Sequence, residues 1–113
     1  MSMYVIRFDD GQEFEIKGFT LIGRNPDKDV MPNADLIAVQ DSTKTMSKTH
    51  AALAISQEGK LLIEDLESTN GTFFQGESDF ETVVQNGNPL EIVPGTRVRL
   101  GDVYFTCTLL PRT

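Results

Sequence analysis

Ala51-Ala52-Leu53-Ala54-Ile55-Ser56-Gln57-Glu58-Gly59-Lys60-Leu61-Leu62-Ile63-Glu64-Asp65 places two short apolar runs, 51–55 and 61–65, on either side of Glu58-Gly59. Short apolar runs bounded by turn residues are the pattern of buried strands, and glycine supplies the backbone freedom a tight reversal needs. The stretch reads as a strand, a turn and a returning strand. A helix would need an apolar face repeating every 3.6 residues over about ten residues. No part of the chain has one, so the expectation is strands only.

Working outward from this hairpin, the same punctuation repeats. Residues 4–8 and 13–17 flank Asp9-Asp10-Gly11, and Glu13, Glu15 and Lys17 alternate with Phe14 and Ile16 in the period-two pattern of a half-buried strand. Residues 19–22 run into Gly23, and short runs follow at 36–39, 72–74, 82–84, 90–92, 96–100 and 103–109. Many short strands with regular turn signals predict an all-β, mostly antiparallel sandwich or barrel. Two polar stretches, 25–34 and 40–49, interrupt the pattern, and polar loops of that length in a small domain are commonly functional. The acidic run at 9–15 reads as a solvated edge that discourages strand-to-strand aggregation. Phe73-Phe74 reads as one core ring and one exposed ring.

At 113 residues the chain is one domain, expected over 3–110, with 111–113 as the start of a linker. It is long enough to bury a core without a disulfide or metal staple. Its one cysteine, Cys107, has no partner for an internal disulfide and reads as a small apolar filler in the last strand. A single histidine, His50, leaves no metal-ligand cluster, so neither a metal nor another cofactor is expected. No apolar run approaches the about 18 residues of a membrane span, and the N-terminus has no leader pattern. With the unpaired cysteine, this predicts a cytoplasmic protein without membrane insertion. The net charge of −7 argues against generic nucleic-acid binding. Four of the ten basic residues, Arg24, Lys28, Lys44 and Lys48, nevertheless fall in one short stretch, which leaves room for a local anion site.

Three segments carry chemistry: Gly23-Arg24-Asn25, Ser47-Lys48-Thr49-His50, and Ser68-Thr69-Asn70-Gly71-Thr72. Together they offer a guanidinium, an ammonium, hydroxyls and an amide, on turns where backbone N–H groups are free. That inventory suits a phosphate, which carries roughly −1.5 to −2 charge and three acceptor oxygens. Arg24 supplies a planar fork and Lys48 a point charge. Asn70 has both donors and an acceptor, and so can hold a peptide backbone.

In order and in kind, Gly23-Arg24, Ser47-x-x-His50 and Ser68-Thr69-Asn70-Gly71-Thr72 resemble the forkhead-associated (FHA) family of phosphothreonine-peptide readers. Asp65-Leu66, Pro94-Gly95 and Leu100-Gly101-Asp102 add to the likeness, which covers essentially the whole chain. The resemblance implies a β-sandwich of eleven strands with binding loops at one end. It implies Arg24 and Ser47 as phosphate ligands, Lys48 as an assisting cation, Thr69 at the phosphothreonine and Asn70 on the peptide backbone. Gly23, His50 and Gly71 would support the site. Where the family often has asparagine, this chain has Gln75, a candidate contact with the peptide flank. The stretch between Arg24 and Ser47 is longer than usual for the family.

The implied function is a phosphothreonine-dependent binding module in Ser/Thr kinase signalling, whose partner is a threonine-phosphorylated protein or a kinase. Two rivals stand beside it. One is a phosphorylation-independent interaction domain on the same sandwich. The other is a phosphatase-like hydrolase, which the lack of a second histidine, a metal cluster and an activated cysteine argues against. A Ser47–His50 catalytic pair is disfavoured because no nucleophile elbow surrounds Ser47, and His50 reads as a hydrogen-bonded residue that fixes its loop.

Overall fold

The computed structural model describes residues 2–76 and 80–111. Among these residues eleven strands follow one another: β1 (Ser2–Phe8), β2 (Glu13–Ile16), β3 (Thr20–Gly23), β4 (Asp35–Ala38), β5 (Ala51–Ile55), β6 (Leu61–Asp65), β7 (Thr72–Gln75), β8 (Glu81–Val84), β9 (Leu90–Glu91), β10 (Arg97–Leu100) and β11 (Val103–Pro111). They form a six-stranded sheet ordered β2-β1-β11-β10-β7-β8 and a five-stranded sheet ordered β4-β3-β5-β6-β9. This is the expected all-β sandwich, and the 51–65 hairpin is β5 and β6. β11 runs through Pro111, one residue beyond the expected domain edge, and the rest of the expected linker, residues 112–113, lies outside the described residues. Among the described residues no helix is long and apolar enough to cross a membrane.

One pairing breaks the antiparallel rule: β3 and β4 run parallel, with Thr20 opposite Asp35 and Gly23 opposite Ala38. Parallel neighbours cannot be joined by a tight turn, because the chain must first travel back along the strand. Residues 24–34 make that return. The first of the two polar interruptions is therefore a structural necessity as well as a loop beside the Gly23-Arg24 step.

The core lies between the sheets. Alternation on β6 turns Leu61, Ile63 and Asp65 inward, and on β10 Val98 and Leu100. Ile6, Phe8, Phe105 and Cys107 from the larger sheet meet Ile22, Leu53, Leu61 and Ile63 from the smaller one. Phe8 stands edge-on to Phe105 at a centroid distance of 5.4 Å and to Phe14 at 6.1 Å. Burying one such side chain contributes roughly 1.5–3 kcal/mol. Burial also pushes the Cys107 thiol up to about 11, which keeps it protonated and inert. The acidic β2 is an edge strand, as the solvated-edge reading expects. Of the Phe73-Phe74 pair, Phe74 packs on the core while Phe73 lies under the Arg99 guanidinium, 4.0 Å from its ring centre.

Candidate functional site

Gly23 ends β3 where the chain passes against residues 47–50. A Cβ at this position would overlap the Lys48 carbonyl and crowd the His50 amide nitrogen, so only glycine allows the approach. The close approach is zipped by backbone hydrogen bonds: Arg24 N–H to the Ser47 carbonyl (3.0 Å), Asn25 N–H to the Lys48 carbonyl (3.0 Å) and His50 N–H to the Ile22 carbonyl (2.8 Å). Arg24 and Ser47 thus face each other across one rung, and Asn25 and Lys48 across the next.

His50 is fully buried and joins three segments. Its Nδ1 accepts from the Ser47 N–H at 3.0 Å, and its Nε2–H donates to the Gly71 carbonyl at 2.9 Å. Its own carbonyl accepts from the Leu66 N–H at 3.0 Å. An imidazole with one ring nitrogen accepting and the other donating is the neutral form. Burial holds its pKa below the usual histidine value, against the opposing pull of the Gly71 carbonyl and the charges of Asp65 and Asp41. The ring meets the backbone of Ser47 and not its hydroxyl, which fits the loop-fixing reading and not a nucleophile–base pair.

The third segment is folded around Asp65, buried at the end of β6. Its carboxylate accepts from the Ser68 N–H (3.0 Å), the Ser68 hydroxyl (2.5 Å) and the Thr72 hydroxyl (2.7 Å). The Ser68 oxygen in turn accepts from the Gly71 N–H at 3.0 Å. Gly71 sits at φ +86°, and a Cβ there would come within 2.7 Å of the Phe73 ring. The turn carries Thr69 and Asn70 onto the 45–47 segment. Thr69 N–H donates to the Ser47 hydroxyl oxygen at 3.0 Å, and Asn70 Nδ2 donates to the Thr45 carbonyl at 2.8 Å.

Asp41 shapes the remaining loop. It accepts from the N–H groups of Thr43, Thr45 and Met46 at 2.8–2.9 Å and from the Thr43 hydroxyl at 2.5 Å. Burial alone would raise its pKa, but the Thr43 hydroxyl and these backbone donors outweigh it and hold the carboxyl below the usual value. Met46 anchors the loop in the core, and the Thr45 hydroxyl accepts from the Asp102 N–H at 2.7 Å.

Arg24, Ser47, Thr69 and Asn70 are thereby brought onto one set of interlocked loops. Arg24 is exposed and reaches the Met46 carbonyl through Nε, at 3.4 Å, with no bond from its two terminal nitrogens among the described residues. Lys48 is exposed and lines a groove beside residues 25–28. Among the described residues, neither cation forms an ion pair, whereas Lys60, Arg97 and Arg99 each meet a carboxylate. Gln75 is not part of the cluster. It lies three residues along β7 from Thr72, about 10 Å at strand spacing, and accepts from Arg97 at 3.0 Å. Asp41, Thr45 and Asp65 were not singled out as site residues from sequence. Asp65 is marked by the family likeness of Asp65-Leu66, and an aspartate two residues before a threonine, or three before a serine, is the local pattern of side-chain-to-backbone turns.

The FHA domain family model matches residues 20–101. A search of curated proteins finds no significant sequence match. Among solved structures, the FHA domain of the CT664 protein from Chlamydia trachomatis is 22% identical, with a TM-score of 0.69 over 98% of this chain and 99% of that one. The FHA domain of a hypothetical Arabidopsis thaliana protein is 18% identical, with a TM-score of 0.75 over 100% of this chain and 90% of that one. Mycobacterium tuberculosis EmbR in complex with a low-affinity phosphopeptide is 21% identical, with a TM-score of 0.69 over 98% of this chain and 25% of the longer EmbR chain. At these identities the likeness is one of fold, and it agrees with the sandwich described above. The family match spans most of the strands and all three loop segments, and on it the chain belongs to the FHA domain family, whose members are typically non-catalytic, phosphothreonine-binding modules.

Proposed function

We propose that residues 3–110 form a domain that binds threonine-phosphorylated segments of partner proteins, with Arg24 and Ser47 on the phosphate and Lys48 assisting. The observation that carries this reading is the Arg24–Ser47 rung. The Ser47 oxygen already accepts from Thr69 N–H, so its own hydrogen is left to donate, beside a guanidinium whose terminal nitrogens are unused. Donors fixed in advance by neighbouring backbone lose little freedom when an anion arrives. Thr69 adjoins the same donors through its N–H bond to the Ser47 hydroxyl oxygen. Asn70 keeps its carbonyl oxygen to accept from a peptide N–H while its Nδ2 holds Thr45. Gln75, whose Oε1 accepts from Arg97, keeps its amide nitrogen to donate to the peptide flank.

Charge-assisted hydrogen bonds contribute about 1.5–3 kcal/mol each. Three of them give about 4.5–9 kcal/mol before the cost of association, so a Kd of about 1 μM, about −8 kcal/mol, needs further contacts from the peptide backbone and flanks. The test is calorimetry with one peptide in phosphothreonine, phosphoserine and unmodified forms. Binding of the phosphothreonine form alone, weakened about tenfold or more in Arg24→Ala with Tm unchanged within about 4 °C, is the expected result. Equal binding of the unmodified peptide would reassign the domain to phosphorylation-independent interaction. Release of inorganic phosphate from the peptide would make it an enzyme.

A further inference from the structure

Asn70 is exposed on its turn, and among the described residues its side chain makes one bond, from Nδ2 to the Thr45 carbonyl at 2.8 Å. Its amide is therefore aimed only as well as that carbonyl is fixed. Thr45 is half-buried and tied at every polar atom. Its N–H donates to the Asp41 carboxylate at 2.9 Å, and its hydroxyl oxygen accepts from the Asp102 N–H at 2.7 Å. The same hydroxyl lies 2.8 Å from the Thr43 hydroxyl, which in turn lies 2.5 Å from Asp41. An ionised carboxylate only accepts, so Thr43 gives its hydrogen to Asp41 and Thr45 gives its own to Thr43. From the Asp102 N–H to the Asp41 carboxylate the donors run one way, and hydrogen bonds in such a chain strengthen one another.

The turn between β10 and β11 closes this arrangement into a ring. The Gly101 N–H donates to the Gly71 carbonyl at 2.9 Å, one residue from Asn70, while the next amide, that of Asp102, holds Thr45. A Cβ at Gly101 would stand 2.7 Å from both the carbonyl and the hydroxyl oxygen of Thr45, so the turn sits in direct contact with it. Successive N–H groups of one turn thus set the spacing between Asn70 and the carbonyl on which it rests. Resting on the phosphopeptide reading above, we infer that Thr45 is a positioning residue, whose hydroxyl fixes its own carbonyl and so aims the Asn70 carboxamide oxygen at a peptide N–H. The gain is one of freedom already given up. A surface asparagine without this support would have to be ordered as the peptide arrives, and immobilising one side chain lowers affinity by about twofold to tenfold.

The experiment is a double-mutant cycle, read by calorimetry with one phosphothreonine peptide. Thr45→Val keeps the shape of the side chain and removes the hydroxyl, whereas Thr45→Ser keeps the hydroxyl. Thr45→Val should weaken binding about fivefold, and about as much again in an Arg24→Ala background. In Asn70→Ala, where no amide remains to be aimed, the loss should shrink to less than about twofold. Thr45→Ser should bind within about twofold of the wild type. Equal losses in the Arg24→Ala and Asn70→Ala backgrounds would make Thr45 a general support of its loop. Full affinity in Thr45→Val, or an equally weakened Thr45→Ser, would remove the hydroxyl from the site. Each of these results overturns the positioning role and leaves the phosphate reading standing. Nitrogen relaxation at Asn70 Nδ2 in the unliganded wild type asks the same question without a variant that has to fold. An order parameter near the rigid-backbone value of about 0.85 is expected, and one below about 0.6 overturns the aiming of the amide. A wild type that binds no phosphothreonine peptide overturns both the role and the reading it rests on.

Discussion

A buried histidine between two backbone partners is a weak point as acid is added. His50 holds the Ser47 N–H and the Gly71 carbonyl only while Nδ1 carries no proton. Its pKa in the fold lies below the ordinary 6.5, so as pH falls the unfolded chain takes up this proton first. The stability His50 contributes is therefore fully present above about 6.5 and is lost as pH falls toward the lower folded value. Tm should drop more steeply from pH 7 to 5.5 in the wild type than in His50→Gln, which cannot take the proton. Parallel profiles would remove His50 as the cause. The sequence reading of His50 as a fixer of its loop is legible in its position three residues after Ser47, but its partners are not. Nothing in the order of residues says that Gly71, twenty-one positions away, supplies the second bond.

At the scale of elements, the strands and the two hairpin pairings, β1 with β2 and β5 with β6, are legible in the sequence, and the other partners are not. Short apolar runs bounded by turn residues locate β5 and β6 to the residue; β5 is buried at three consecutive positions, and β6 alternates. The parallel run of β4 beside β3 was hidden, since period-two patterning marks the buried face of a strand and not its direction. Gln75 shows a similar limit: the register of β7 on β10 sets it opposite Arg97, a pairing the order of residues does not reveal. The loop between β4 and β5 was read as a polar interruption, yet it is organised by one carboxylate. Asp41→Ala removes the acceptor for three backbone N–H groups. Amide exchange at residues 43–46 should then quicken by an order of magnitude or so, as each lost bond removes about 1 kcal/mol of protection. Phosphopeptide affinity should fall with it, although Asp41 touches no ligand in the proposed mode. Unchanged exchange would mean that Met46, anchored in the core, holds the loop alone.

Across the whole molecule, a chain of net charge −7 is proposed to capture an anion. Range resolves the conflict. The domain measures 39 × 37 × 28 Å, while charges are screened beyond about 10 Å at 0.1 M salt and about 30 Å at 0.01 M. At moderate salt the incoming phosphate senses the local Arg24, Lys28 and Lys48; at very low salt it also senses the seventeen acidic residues. The association rate measured by stopped flow should therefore rise from about 0.01 M to about 0.1 M salt and fall again at about 0.5 M. A steady decline throughout would show that the local cations dominate at every range.

Cys107 gives this molecule a built-in clock. Its sulfur is sealed between the sheets and its thiol is held protonated, so a thiol reagent has to wait for the sandwich to part. Because it is the chain's only cysteine, each labelling event counts one opening of that core. A ligand gripping the distant loops slows the count by the factor by which it favours the closed form, 1 + [L]/Kd. Occupancy of the loop end thus becomes a mass increment on a residue that no ligand can reach.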